Sequence, residues 1–456
     1  MFRRKLCTGS AALTCLAAFQ IANAAPTYQV LYHERLEIVP RVDAQGQQHL
    51  GFDAYGRHFD LDLEPNESIR RGVPTNRSDI KPYRGTVAGR AGSWVRLTQT
   101  RDGWRGVLSD GQDLYAIEPA RQLQKAGVQS VTGDGASPVM YRFADTLMPD
   151  GAGYCGTATD ENLAQSAHSS ALNAYTAIAK DLALKDTSVV TTRQLVVSVV
   201  TDHPFSDQIS DPAGEIVARM DVVDGIWAAQ VGIHIALGTV NVVSDTDDPF
   251  SATTVPTDLL AEVATYRGKL PGSDGSGLTH LMSGRTLDGN IIGIAYVGAV
   301  CDGSDSVSLS DTTISTTMGA LVAAHELGHN FNSPHDGVAG ACASTPQTYL
   351  MAPKINFSNQ FSSCSLTQIT ARAASASCLQ QVSSGSSGSS SSPGSGTTSP
   401  GGTPTSGGTV SDPGSGGTSS GSSGGGGGGS LDLTWLAALS AGLMLHLCTP
   451  IRRRRD

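Results

Sequence analysis

The run His325-Glu326-Leu327-Gly328-His329-Asn330-Phe331-Asn332-Ser333-Pro334-His335 constrains this chain more than any other stretch. It places two histidines four residues apart, a glutamate between them and a third histidine six further on. On an α-helix, residues i and i+4 share a face about one turn apart. His325 and His329 can therefore offer their imidazoles to one metal ion. His335 is too far along to bind from the same face, so the chain must leave the helix and turn back. Three protein ligands around zinc leave a fourth position open for water, as catalysis requires. Glu326 stands beside the first ligand, where it can take a proton from that water as general base. The alternative, two surface histidines on an ordinary helix, requires a chance match. In a chain of 456 residues that is a roughly one-in-a-hundred event. The flanking pattern predicts one helix over residues 311–330, capped by Asp311 or Thr312. Met318, Leu321, Val322 and Leu327 supply its apolar residues.

Downstream, Tyr349-Leu350-Met351-Ala352-Pro353 follows the third histidine at short distance. Together with the histidine run it resembles the methionine turn of metzincin proteases. That resemblance implies that Met351 lies beneath the zinc as an apolar floor without binding it. The match is closer to the ADAM/reprolysin (adamalysin-like) branch. It rests on residues 325–336, with Asp336 directly after the third histidine. It also rests on Gly293-Ile294-Ala295-Tyr296-Val297 with Cys301 beyond, and on residues 356–362 with Cys364. It covers about residues 190–380. The family usually has Gly where this chain has Asn332. The turn out of the helix wants φ > 0, and Asn is the next best residue there.

Read for elements, residues 193–201 form an apolar strand. Residues 213–229 form a helix with Ile216, Val217, Met220, Val223 and Trp227 on one face. A strand over 233–243, a helix over 257–267 and strands over 278–282 and 293–297 follow, and then the histidine helix. The expected class is α/β (α+β), a metzincin catalytic domain with a mixed sheet and a zinc-binding active-site helix. In metzincins the last strand before that helix is an edge strand. The resemblance therefore implies that Gly293, Ile294, Ala295 and Tyr296 pair with an extended substrate, and that Ala352 and Pro353 wall its specificity pocket.

Eight cysteines divide by position. Cys7 and Cys15 lie in the N-terminal apolar stretch and Cys448 in the C-terminal one. Five remain, and four of them, Cys301, Cys342, Cys364 and Cys378, allow three pairings. The family resemblance implies Cys301–Cys378 and Cys342–Cys364. Cys155 is left odd, in Gly151-Ala152-Gly153-Tyr154-Cys155-Gly156. Such a thiol ahead of a zinc site reads as a cysteine switch, its thiolate filling the fourth metal position in a latent precursor. An unpaired or intermolecular cysteine is the other reading.

Residues 25–190 show short alternating runs between turn residues, over 28–32, 94–98 and 113–117, and predict a β-rich domain. Residues 59–65, 83–85 and 115–119 resemble the propeptide of ADAM/reprolysin proteins. This implies a role in folding and latency; an independent substrate-binding domain remains the alternative. Residues 163–187 are polar and Ala-rich, suited to a helix or a processed linker. No dibasic site is present there, so the processing protease is unspecified.

The two ends suggest export. Arg3-Arg4-Lys5, an apolar stretch over 6–21 and Ala22-Asn23-Ala24 form a secretory signal peptide over 1–24. Residues 382–430 are a Ser/Gly/Thr-rich flexible linker ending in six glycines, Gly424 to Gly429. Residues 431–456 follow, an apolar segment and then Arg452 to Arg455. The layout resembles the GlyGly-CTERM sorting tail of Gram-negative bacteria. It implies a transient membrane anchor removed by a rhomboid-type protease, with attachment or release at the cell surface. A plain C-terminal transmembrane helix is the alternative.

The net charge of −10 and the absence of a basic patch outside the terminal arginines argue against nucleic-acid binding. Zinc is the expected cofactor. Relatives carry a structural calcium ion, but no local calcium motif is found here. The expected function is a secreted or surface zinc endopeptidase made as a latent zymogen, acting on proteins or peptides. The competing class is a surface-displayed binding or adhesion protein on a metzincin scaffold that no longer turns over. The presence of Glu326 favours the enzyme. Nothing resembling a disintegrin or cysteine-rich domain follows Cys378.

Overall fold

The computed structural model describes residues 28–382, apart from 45–46, 126–134, 148–152, 158–192, 245–246, 270–275, 312–314 and 339. The expected signal peptide, the 163–187 stretch, almost all of the linker and the C-terminal apolar segment lie outside the described residues. Among the described residues no helix is long and apolar enough to cross a membrane.

Two large sheets organise the described residues, beside a small pairing of Gln29–Val30 with Thr146–Leu147. The first is antiparallel, with nine strands in the order Glu34–Arg35, Pro138–Arg142, Leu114–Pro119, Gly103–Ser109, Trp94–Thr100, Lys81–Val87, Arg57–Pro65, Gln48–Ala54 and Val39–Val42. Its strands alternate as a sheet with one dry face must. In Arg57–Pro65, Phe59, Leu61 and Leu63 are buried while His58 and Asp60 face water. The inward residues of neighbouring strands build a separate apolar cluster with Leu50, Phe52, Val95, Leu97, Leu108 and Met140. The expectation of a β-rich N-terminal region is met.

The second sheet carries the histidine motif. Its strands are β1 (Tyr154–Thr157), β2 (Arg193–Thr201), β3 (Ile233–Asn241), β4 (Leu278–Ser283), β5 (Ile291–Ala295) and β6 (Val307–Asp311). They lie in the order β1-β5-β6-β4-β2-β3, and Gln380–Gln381 adds a short pairing to β2. β2, β3, β4 and β6 are parallel. β5 runs antiparallel to β6. β2 is buried along most of its length, which explains its near-continuous Val and Leu run.

The longer helices α1 (Pro212–Val231), α2 (Pro256–Arg267) and α3 (Thr316–Asn330) pack on this sheet, and α4 (Ser363–Ser375) packs against α1. α1 starts where the side chain of Asp211 caps the amide of Gly214 and Pro212 presets the first turn. It stops at Gly232, whose φ of 73° is the left-handed helix end that glycine permits. Trp227 on α1 packs against Phe331 and Phe361, with ring centroids 4.9 Å and 5.5 Å away. α1 thereby braces the end of α3.

Three expectations change. The histidine helix begins at Thr316, not at Asp311, and Ser315 caps it by accepting from the amide of Met318. Asp311 instead ends β6, opposite Ser283 of β4. The segment Val307–Asp311 was not foreseen as a strand, because its serines mask a stretch that is almost wholly buried. Finally, β5 is not a free edge. β1 pairs along it in parallel, setting Cys155 opposite Gly293 and Gly156 opposite Ile294. Tyr296 lies just beyond β5.

Candidate metal centre

α3 puts His325 and His329 one turn apart, and their Nε2 atoms approach to 3.0 Å. The helix ends at Asn330, and Asn332 takes φ 68°, the left-handed conformation expected for it. Its amide donates to the carbonyl of His329 at 2.8 Å, and the amide of Ser333 donates to the carbonyl of Gly328 at 3.0 Å. This turn brings Nε2 of His335 to 3.1 Å from Nε2 of His329.

The protons on these rings are fixed by their other neighbours. Nδ1 of His325 lies 2.6 Å from the carbonyl oxygen of Leu350, and Nδ1 of His329 lies 2.7 Å from that of Ser333. A carbonyl only accepts, so each Nδ1 carries the proton and each Nε2 presents a lone pair. Burial lowers the pKa of His325 to about 3 and lowers His329 and His335 well below the usual value, which keeps the rings neutral. Lone pairs held this close repel unless a cation sits among them. Nitrogens at zinc distances and tetrahedral angles stand about 3.3 Å apart, near the spacing found.

The thiol of Cys155 completes the group. Its Sγ lies 3.4 Å from Nε2 of His329 and 3.0 Å from Oε1 of Glu326. Cys155, His325, His329 and His335 are all buried, and their donor atoms lie within 4.8 Å of one another. Three imidazoles and a thiol form a borderline-soft N/S set that suits zinc. Burial raises the carboxyl of Glu326 well above the usual range, and its Oε2 has no hydrogen-bond partner in the protein.

The floor and walls are supplied by loops. Met351 is fully buried under α3. A Cβ on Gly328 would come 2.5 Å from the Met351 sulfur, so the glycine inside the motif lets the methionine approach the helix. The amide of Asp336 donates to the carbonyl of Met351 at 2.8 Å. The Asp336 carboxylate accepts from Ser362 and Ser365 at 2.9 Å and 3.1 Å, tying the third histidine to the start of α4. Two disulfides, Cys301–Cys378 and Cys342–Cys364, match the pairing that the resemblance implied. They fit an oxidising compartment.

β1 lies between two hydrogen-bonding rims. On one side it pairs with β5. On the other, the amide of Cys155 donates to the carbonyl of Pro353 at 2.9 Å, and the amide of Ile355 donates to that of Gly153 at 3.2 Å. The supporting carbonyls of Leu350 and Ser333 were not legible from sequence, because backbone groups carry no residue signature. Gly293 and Gly328 left a faint signal, being glycines inside an element and a motif.

Such a site, on a mixed sheet with one active helix and a methionine turn below, is that of a metzincin zinc protein. Residues 191–363 match the model of metallo-peptidase family M12, of reprolysin type. The chain carries a reprolysin-like metzincin domain. Among curated relatives, the zinc metalloproteinase-disintegrin-like atrase-A of Naja atra is 30% identical over 145 residues, which is 30% of this chain and 23% of that protein. Disintegrin and metalloproteinase domain-containing protein 11 of Homo sapiens is 28% identical over 322 residues, covering 63% of this chain and 39% of that protein. The chain thus spans well under half the length of these relatives. Metalloproteinase-II from Bacteroides fragilis superposes with a TM-score of 0.44 at 12% identity, covering 71% of this chain and 90% of that one.

Proposed function

We propose that residues 191–381 form a zinc-dependent endopeptidase and that residues 25–190 are its propeptide. The observation that carries this reading is the course of β1. An extended strand from the N-terminal region fills the cleft between β5 and residues 353–355, with Cys155 at the three imidazoles. A cleft that accepts one extended chain by strand addition accepts another. The chain is therefore latent until β1 leaves, and β5 then becomes the edge to which a peptide substrate adds.

His325, His329 and His335 hold the zinc, which when bound supplies Lewis acidity and a more acidic water. Glu326 takes a proton on its carboxylate as general base and returns it to the leaving amine. Its oxygen already faces the position occupied by Cys155. The sulfur thus engages the base together with the metal ligands, and both are freed together. Residues 1–24 direct export, where a separate protease removes the propeptide. Residues 431–456 serve as a transient anchor for a rhomboid-type protease at the cell surface.

Casein cleavage tests this reading. The Cys155→Ser chain, zinc-loaded and otherwise intact, should cleave casein, and the intact wild-type chain should not. Adding Glu326→Ala should abolish the activity while zinc stays bound. If Cys155→Ser and Cys155→Ser/Glu326→Ala were equally inert with zinc in place, the domain would not be a protease.

A further inference from the structure

The connection that leaves β5 is pinned at every second residue, and one side chain on it faces water. In the register of β5 with β6, Ala295 stands opposite Ser308 and the pairing ends there. Tyr296 and Val307 would be the next pair. Asn330, the last residue of α3, bridges them instead. Its Nδ2 donates to the carbonyl of Tyr296 at 3.0 Å and to that of Val307 at 2.9 Å. Asn330 itself is fully buried. The amide of Gly298 donates to the carbonyl of His329 at 2.8 Å, and that of Val300 to the carbonyl of Asn330 at 3.0 Å. From α4, Arg372 donates to the carbonyls of Gly298 and Val300 at 2.9 Å and 2.6 Å. Cys301 closes the run through its disulfide to Cys378.

Side chains alternate across a strand. Ile294 and Tyr296 go to the apolar cluster that holds Leu259, Leu260 and Val263 of α2. Gly293 faces the other way, toward Glu326 and Val322 of α3. By the same alternation Ala295 and Val297 continue that row along the cleft. Ala295 is fully buried and lies opposite Thr157 of β1. Val297 is 41% exposed, on a backbone that the bonds above hold in place. A valine on a loose loop moves with its loop, whereas this one is presented on the same rigid unit as His329. Rigid presentation spares the cost of ordering the loop when something binds.

We propose that Val297 is a specificity-determining residue of the cleft and that Asn330 and Arg372 are the positioning residues that hold it there. The proposal rests on the protease reading above. A peptide added along β5 has the residue beside Gly293 nearest the three imidazoles, where Cys155 now lies. Val297 is four residues further, roughly 13 Å along an extended chain. It therefore meets the substrate side chain three or four residues from the scissile bond, on one side of that bond only. The chemistry it recognises is aliphatic. A half-open valine buries apolar surface against Leu, Ile or Val and offers no partner to the charge of Asp or Lys.

Cleavage-site profiling tests this. The zinc-loaded Cys155→Ser chain digests whole casein, and mass spectrometry aligns the cut sites. Aliphatic residues should be enriched about fivefold at a position three or four residues from the cut, on one side. Val297→Lys should replace that enrichment by Asp and Glu at the same position and leave the preferences beside the cut as they were. Asn330→Ser and Arg372→Leu should flatten the distant preference while the preferences beside the cut persist. They should also raise KM for peptides that reach Val297 several-fold more than for shorter ones, a split that general loss of stability does not produce. Val297 lies on the surface and Arg372 away from the histidines, so the test stands even where the Asn330 variant does not fold. A profile flat at those distant positions, or one that Val297→Lys does not alter, would overturn the proposal. A chain that cuts no casein at all would overturn the protease reading, and this proposal with it.

Discussion

Gly293 of β5 is packed against Glu326 of α3 so closely that a Cβ on Gly293 would lie 2.8 Å from Cδ of the carboxylate. The strand can approach the base only because that residue has no side chain. Gly293→Ala should push the Glu326 carboxylate out of its place while leaving the three histidines alone. A displaced general base costs about a hundredfold in rate. In the Cys155→Ser background, kcat for a peptide substrate should fall by about that factor with zinc content unchanged. An unaltered kcat would mean that the strand yields instead.

The turn at Asn332 makes a second prediction. With φ at 68° it sits where glycine is unstrained and Asn only mildly so. Asn332→Gly should leave zinc affinity and stability within about 0.5 kcal/mol of the parent. Asn332→Val puts a β-branched side chain in the same conformation and should cost about 2 kcal/mol or more. Because this turn aims His335, the valine variant should also lose zinc faster to a chelator, which a colorimetric zinc assay reads. Equal zinc release from all three chains would detach the turn from the site.

These two residues mark how much was readable in the sequence. The histidine group was, because helix geometry turns a spacing of four into one face. The need for φ > 0 at Asn332 was also legible. Three things were not. The true start of α3 was hidden because Asp311 is an acceptable cap by type, while β6 takes it for pairing with β4. The occupant of the β5 edge was hidden because strand addition joins residues far apart in the chain. The polar contacts on α1 were hidden for the same reason. Asp221 and Asp224 look like ordinary solvent-facing carboxylates until Asn66, Arg96 and Thr98 are laid against them.

The Cys342–Cys364 disulfide ties the loop bearing Leu350 and Met351 to α4. It spans 22 residues, for which the loop-entropy argument gives about 3 kcal/mol. Cys342→Ser/Cys364→Ser should lower the stability to urea by about that amount. Zinc affinity should fall with it, since the Leu350 carbonyl that orients His325 lies in the freed loop. A variant that lost stability but kept full zinc affinity would show that the loop holds its shape unaided.

The polar contacts along α1 also predict a pH dependence away from the metal. Burial raises the Asp221 carboxyl to about 7. The groups facing it are Asn66, Arg96 and Thr98 of the N-terminal sheet and Asp224 of the same helix. His234, which bonds Asp224, stands behind them. Against the pull of burial, Arg96 and His234 hold Asp224 at about 2, so it stays ionised above pH 4. An unfolded chain ionises Asp221 near 3.8, whereas the folded chain keeps its proton up to about 7. Between those values the folded state holds the extra proton. Its stability therefore falls as pH rises through that window and levels off above it. Asp221→Asn keeps the acceptor for Asn66 and a partner for Thr98 but removes the titration. In the Glu326→Ala background, the stability of the Asp221→Asn chain relative to its parent should climb between pH 4.5 and 7, by up to about 1.4 kcal/mol per pH unit. Urea unfolding at a series of pH values reads this difference directly. A difference that did not change with pH would mean that Asp221 is ionised in the folded chain, with Arg96 balancing both carboxylates.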